Sequence, residues 1–232
     1  MRFCSGCWLV CLLLLVPMMT GCNSASGGAD KGHPTYLVAD PSFKPEGTVR
    51  LAVLGFANSS ETADAVGFFY PYLEEALREK PNYVMISSWT VSRDARRKKI
   101  KSEYERLERQ WRKDRMFEPD LLREFGQAYG VDYVFGGEVS EWLEKEVEMN
   151  VEGYSHSDVA AAFKIIAVDS GAVVWEARDK VQVKSAHYDP SVGAARSDRG
   201  GIARGEARIV PAPPPIDEVA RRVATNLVAA LP

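Results

Sequence analysis

The sequence predicts an α/β fold in which a single mixed β-sheet is covered by helices, and three observations carry that prediction. Short apolar or alternating runs of strand length occur in both halves of the chain. Between them lie segments whose apolar residues return every three or four positions, as on one face of a helix. The order is strand, helix, strand, two helices, three or so strands, helix, which suits one sheet with helices packed on it. At 232 residues, 46% hydrophobic and 26% charged, the chain has an ordinary globular composition. No internal repeat is visible.

Residues 1–21 read as an export signal. Arg2 supplies the charged start, Cys7–Met19 an apolar segment too short for a comfortable membrane span, and Thr20-Gly21 a small-residue cut site. Met19-Thr20-Gly21-Cys22 resembles a bacterial lipobox, in which the cysteine is acylated and becomes the new N-terminus. That resemblance implies lipidation at Cys22 by a diacylglycerol thioether, with palmitate among its chains. Each buried methylene adds about 0.8 kcal/mol to membrane binding, so several chains together would release very slowly. Asn23 stands where aspartate would signal inner-membrane retention, which implies the outer membrane, with the domain facing the periplasm. Cys4, Cys7, Cys11 and Cys22 are the four cysteines, so processing leaves Cys22 alone. The mature domain is then expected to lack disulfides and thiolate metal sites.

Residues 22–47 are rich in Ser, Gly, Ala, Asp and Pro and read as a flexible tether, with a mean reach of about 25–30 Å. The domain is expected to span 48–232. Thr48–Phe56 is a nearly continuous apolar run that stops at Asn58-Ser59-Ser60, as a buried strand would. Phe69, Leu73, Ala76 and Leu77 recur at helical spacing, with Pro71 suited to a first turn or a kink. Tyr83–Ser87 is a second short strand. Residues 92–115 form a charged helical insertion with a start signal at Ser92. Ile100, Tyr104, Leu107 and Trp111 make one narrow stripe along it. Glu118-Pro119 breaks the pattern, and Leu121, Leu122, Phe125 and Ala128 mark a further helix ending at Gly130. Val131–Gly137, Val147–Val151, Val159–Val168 and Val173–Val183 read as strands, the last two joined by the turn Asp169-Ser-Gly-Ala172. Residues 187–215 read as a long loose loop. Ile216, Val219, Val223, Leu227 and Ala230 close the chain as an amphipathic helix, with Asp217 and Glu218 at its positive end.

Three of these pieces carry a family resemblance. Val49–Asn58 (VRLAVLGFAN) resembles a strand written IAVLPF-x-N. Tyr129–Gly137 (YGVDYVFGG) is similar to a GADYVLTG segment, and Phe163–Trp175 (FKIIAVDSGAVVW) to a hairpin written lvDvrtGevlw. These belong to the domain of the CsgG-like (curli production assembly/transport) group of periplasmic lipoproteins, related to the lipoprotein activators of penicillin-binding proteins. The resemblance covers roughly residues 48–183 and the closing helix. It implies an anticodon-binding-domain-like fold and a role in protein interaction. Gly55 stands where the family often has proline. The curli pore also needs two membrane-spanning hairpins with alternating apolar segments about 9–11 residues long. Neither the charged Arg93–Arg115 nor the Gly/Ala/Arg-rich His187–Arg208 has that pattern, so the resemblance does not extend to a pore.

Composition and spacing give little chemistry. A net charge of −3 and a pI near 5.7 offer no support for nucleic-acid binding. Ser155-His156-Ser157-Asp158 holds hydrolase residue types, but adjacent residues in an extended or turning segment point apart, and no G-x-S-x-G elbow occurs. His33, His156 and His187 lack metal-ligand spacing. Gly136-Gly137 and Gly200-Gly201 match no phosphate-binding fingerprint. Glu138, Glu141, Glu144, Glu146 and Glu148 read as solvated strand faces, and no catalytic residue, metal site or cofactor is expected. The basic run Arg93–Lys101 is either a solvated helix start balanced by Glu103, Glu105 and Glu108, or a contact for an anionic envelope surface. The stripe Ile100, Tyr104, Leu107, Trp111 either packs on its own domain or docks a partner or second copy, and it is the candidate partner interface.

The expectation is a non-enzymatic, lipid-anchored outer-membrane lipoprotein whose periplasmic domain binds protein partners in envelope assembly, secretion or cell-wall synthesis control. The alternatives are a subunit of an oligomeric curli-type secretion channel and, behind it, a periplasmic hydrolase.

Overall fold

The computed structural model describes residues 33–191 and 209–232. One six-stranded mixed sheet runs β1 (Tyr36–Ala39), β6 (Val173–Lys184), β5 (His156–Ala167), β4 (Tyr133–Lys145), β2 (Val49–Asn58), β3 (Tyr83–Ile86) in spatial order. β2 is parallel to both β3 and β4, and the other pairs are antiparallel. Helices α1 (Ala65–Arg78), α2 (Ser88–Arg97), α3 (Lys101–Asp114), α4 (Pro119–Tyr129) and α5 (Ile216–Ala229) complete the α/β fold.

Two apolar layers sandwich the sheet. On one face α1 and α5 bury Phe69, Leu73, Val223 and Leu227 against Phe135, Phe163, Ile165 and Trp175. On the other, α2, α3 and α4 bury Val91, Leu107, Trp111 and Phe125 against Ala52, Leu54, Val134 and Ile166. β2 supplies both layers in alternation, which is why its sequence reads as a continuous apolar run.

Several expectations need correction. The expected tether is folded from Thr35 onward: Tyr36–Ala39 pairs with Trp175–Arg178, and Phe43 is buried edge-on to Tyr133 at 5.2 Å. Pro34 has no N–H for a ladder. At that point Thr35 substitutes its side chain, whose hydroxyl accepts from the Lys180 N–H at 3.4 Å and donates to Asp179 Oδ1 at 2.8 Å.

The charged insertion is two helices, not one, and it starts four residues before Ser92. The Ser87 hydroxyl accepts from the Thr90 N–H at 3.3 Å as the N-cap. Lys99 then adopts a left-handed φ of 59°, and the Ile100 N–H returns to the Ala95 carbonyl at 3.0 Å to end α2. A lysine in the place usually held by glycine leaves no stop signal in the sequence.

Val147–Val151 is loop rather than strand, because β4 already extends to Lys145 before the chain turns. Pro71 lies inside α1 and not in its first turn. Residues 192–208 of the expected loop lie outside the described residues, and 209–215 carry no regular structure.

A half-covered sheet face as candidate functional site

The helical layer α2–α4 covers β2, β4 and the C-terminal end of β5 at Ile166, and among the described residues no helix covers the rest of β5, β6 and β1 on that face. The boundary is set by Trp111. Its indole N–H donates to the Gly137 carbonyl at 2.9 Å, and its ring stacks on Phe117 at 5.2 Å. It lies flat on β4 because Gly136 has no side chain, and a Cβ there would come within 2.5 Å of the indole. One turn on, Arg115 takes a left-handed φ of 55° and swings its guanidinium back over the sheet. It donates to Glu138 at 2.8 Å, to Ser59 Oγ at 3.0 Å and to the Trp111 carbonyl at 3.0 Å. Ser59 donates to the same Glu138 oxygen. The Arg115 hydrogen bond holds the Glu138 carboxyl below the ordinary glutamate range, against a smaller opposing effect of burial.

Beyond this latch the strand register lays out short cross-strand rows. Lys164 sits opposite Glu176 and then Val38; Ala162 opposite Arg178 and then Tyr36; Glu141 opposite Ala160 and then Lys180. The result is a groove of about 440 Å³ whose floor is small (Ala160, Ala162) and whose walls are charged. Those charges are spent on one another. Glu176 takes Lys164 at 3.7 Å and Arg178 at 2.6 Å, and Lys180 reaches Glu141 at 2.5 Å. The Arg178 and Lys180 pKa values rise accordingly, through their hydrogen bonds to Glu176 and Glu141. Arg178 also lies over the Tyr36 ring at 5.2 Å, leaving Tyr36 45% and Val38 51% exposed at the sheet margin. A neutralised, shallow, partly apolar face suits a macromolecular surface better than a small substrate needing a deep pocket.

The residues singled out from sequence fall elsewhere. Tyr104, Leu107 and Trp111 are buried in the core and Ile100 is half-buried against it, so the stripe is not a partner interface. It packs on its own domain because α3 lies directly across β2 and β4. The Ser155–Asp158 cluster lies at the start of β5, with Ser155 just ahead of the strand. Ser155 and Ser157 donate to the Pro211 and Pro214 carbonyls, each at 2.5 Å, and fasten the 209–215 segment to the sheet. His156 Nε2 is 3.5 Å from Asp158 Oδ2, and no hydrogen bond joins the imidazole to either serine among the described residues. His187 faces Glu152 at 3.2 Å. Among the described residues no three His, Cys, Asp or Glu gather as a metal site. Cys22 lies outside the described residues.

The groove was missed because its members sit on four different elements. The one signal available was the alternation of Trp175, Ala177 and Asp179 with Glu176, Arg178 and Lys180, which marks β6 as having one wet face.

No protein-family model matches this chain, and no curated protein does. Among solved structures it is similar to a PelC dodecamer from Paraburkholderia phytofirmans, with a TM-score of 0.46 and 17% identity over 84% of this chain and 95% of that one. It is similar to lipoprotein GNA1162 from Neisseria meningitidis, with a TM-score of 0.44 and 13% identity over 62% of this chain and 88% of that one. It is also similar to the LpoB C-terminal domain from Salmonella enterica, with a TM-score of 0.40 and 15% identity over 62% of this chain and 87% of that one.

Proposed function

We propose that the chain is a lipid-anchored outer-membrane lipoprotein whose periplasmic domain binds protein partners in envelope assembly, secretion or cell-wall synthesis control, and that it is not an enzyme. The location rests on Met19-Thr20-Gly21-Cys22 behind its apolar segment, with Asn23 after it. The binding role rests on one observation: among the described residues half of one sheet face is left without a helix, with exposed Tyr36 and Val38 beside a ladder of mutually paired charges. The serines of the hydrolase-like cluster are committed to backbone carbonyls, which argues against the hydrolase alternative.

Metabolic labelling with palmitate should mark the protein and be lost in Cys22→Ala, together with its membrane partitioning. Photo-crosslinkers placed at Tyr36 and Lys180 should capture one envelope protein in intact cells, while one placed at the distant, exposed Arg78 should not. Unlabelled protein would remove the location. Capture from position 78 but not from the groove would remove the binding face. Capture of the chain by itself, with a several-fold larger particle after detergent extraction, would favour the channel-subunit alternative.

A further inference from the structure

The outer surface of α2 and α3 is charged far out of proportion to the chain. Between Arg93 and Arg115 there are eleven Lys and Arg against five Asp and Glu, in a protein of net charge −3. The acids are largely committed: Asp94 pairs with Arg93 and Arg97, Glu105 with Lys101, and Glu108 with Arg112 and the Tyr104 hydroxyl. Arg96, Lys99, Arg109 and Lys113 have no ion-pair partner among the described residues, and all four are exposed. On α2 Trp89 leaves 68% of its surface in solvent, with the Arg93 guanidinium 4.7 Å from its ring. An exposed tryptophan on a pair of helices that also carries unpaired cations is the composition of a surface that settles at a membrane interface, where indole sits at headgroup level and cations meet phosphate.

The folding of β1 shortens the leash between the proposed anchor and the domain. With Thr35 already fastened to β6, 12 residues (23–34) separate it from Cys22, and the span from Cys22 to Thr35 cannot exceed about 45 Å in any conformation. The sheet is about 24 Å across its six strands. The α2–α3 layer therefore stays within reach of any bilayer that holds Cys22, and a contact too weak and salt-sensitive to recruit the protein becomes effective as an intramolecular one.

Resting on the proposed lipid anchor, we infer that the basic α2–α3 surface, with Trp89 at its edge, docks onto anionic phospholipid headgroups and holds the domain flat against its own membrane. The groove lies on the same face of the sheet, so docking would cover it, and a partner binding there would have to lift the domain.

Trp89 provides the readout. Trp111 and Trp175 are each 1% exposed and Trp142 is 8% exposed, while Trp8 belongs to the segment removed on processing. The lipid-bearing protein is returned to vesicles containing brominated phospholipid, with or without phosphatidylglycerol, and floated on a density gradient. Loss of the Trp89 emission component is expected only in phosphatidylglycerol vesicles. It should be absent in Trp89→Phe, be reversed by high salt, and disappear in Arg96→Glu/Lys99→Glu/Arg109→Glu, a triple variant whose exposed positions leave the circular dichroism unchanged. Protein that floats but shows no quenching in any vesicle overturns the docking and leaves the anchor standing. Protein that does not float overturns the anchor itself. Charge-dependent binding to isolated peptidoglycan, without quenching by lipid, reassigns the surface to a wall polymer and overturns the proposal.

Discussion

Trp111 ties the helical layer to the sheet through three contacts at once: a ring stacked on Phe117, a face laid on Gly136 and an indole N–H given to the Gly137 carbonyl. Removing it leaves a cavity in a buried site and takes the indole donor from the Gly137 carbonyl. Trp111→Ala is expected to cost about 3–5 kcal/mol, and Leu107→Ala about 2–5 kcal/mol, in a denaturant melt. Surface residues serving an interface would leave the midpoint nearly unchanged. The neighbouring Arg115–Glu138 pair gives a pH signature. Its carboxyl pKa is depressed in the folded protein, so the pair's stabilisation is present above the unfolded glutamate value of about 4.3 and is lost as pH falls through the lower, folded one. Glu138→Gln is expected to flatten the acid limb of a stability–pH curve below about pH 5 while changing little at pH 7 beyond a constant offset. An unchanged acid limb would mean that the pair is too well solvated to contribute.

At the scale of elements, β1 decides where the domain begins. Only four residues long, it is held by its pairing to β6 and by a buried polar cluster at its entrance. There Asp179 accepts from Thr35 at 2.8 Å and from Asn226 of α5 at 2.8 Å. Replacing Tyr36–Ala39 with Gly-Ser residues should leave the fold intact, deprotect the β6 amides of Glu176 and Arg178 in hydrogen exchange, and lengthen the tether. Unchanged protection at those two amides would show that β1 is not paired in solution. The strand went unread because Pro34, Pro41 and Pro45 surround it and its partner lies about 140 residues away; composition sees the prolines and not the partner. The break between α2 and α3 went unread for a related reason. A left-handed lysine ends a helix through backbone hydrogen bonds that its side chain does not announce.

On the scale of the whole molecule, the two apolar layers share one sheet, and β2, β4 and β5 each place residues in both. Loss of either layer exposes strands that the other needs, so the domain built on this sheet should unfold in one cooperative transition. Leu107→Ala on one face and Leu227→Ala on the other are each expected to lower a single midpoint, the same by tryptophan fluorescence and far-ultraviolet circular dichroism. Separate transitions by the two probes would mean that the layers fold independently.

What the sequence determined by itself was the class of fold, the strands and helices with strong periodicity, and the expectation of a lipid at Cys22, because hydrophobic period and cut-site chemistry are local properties of the chain. It narrowed the Ile100–Trp111 stripe to two readings and could not choose, since an apolar face looks the same whether it meets its own sheet or a partner. Only tertiary structure settled that choice, by laying α3 across β2 and β4 and burying Tyr104, Leu107 and Trp111. It alone also assembled Arg115, Glu138, Glu176, Arg178, Lys180 and Tyr36 on one open face, because register across four elements is written in pairings between distant strands and not in any single segment.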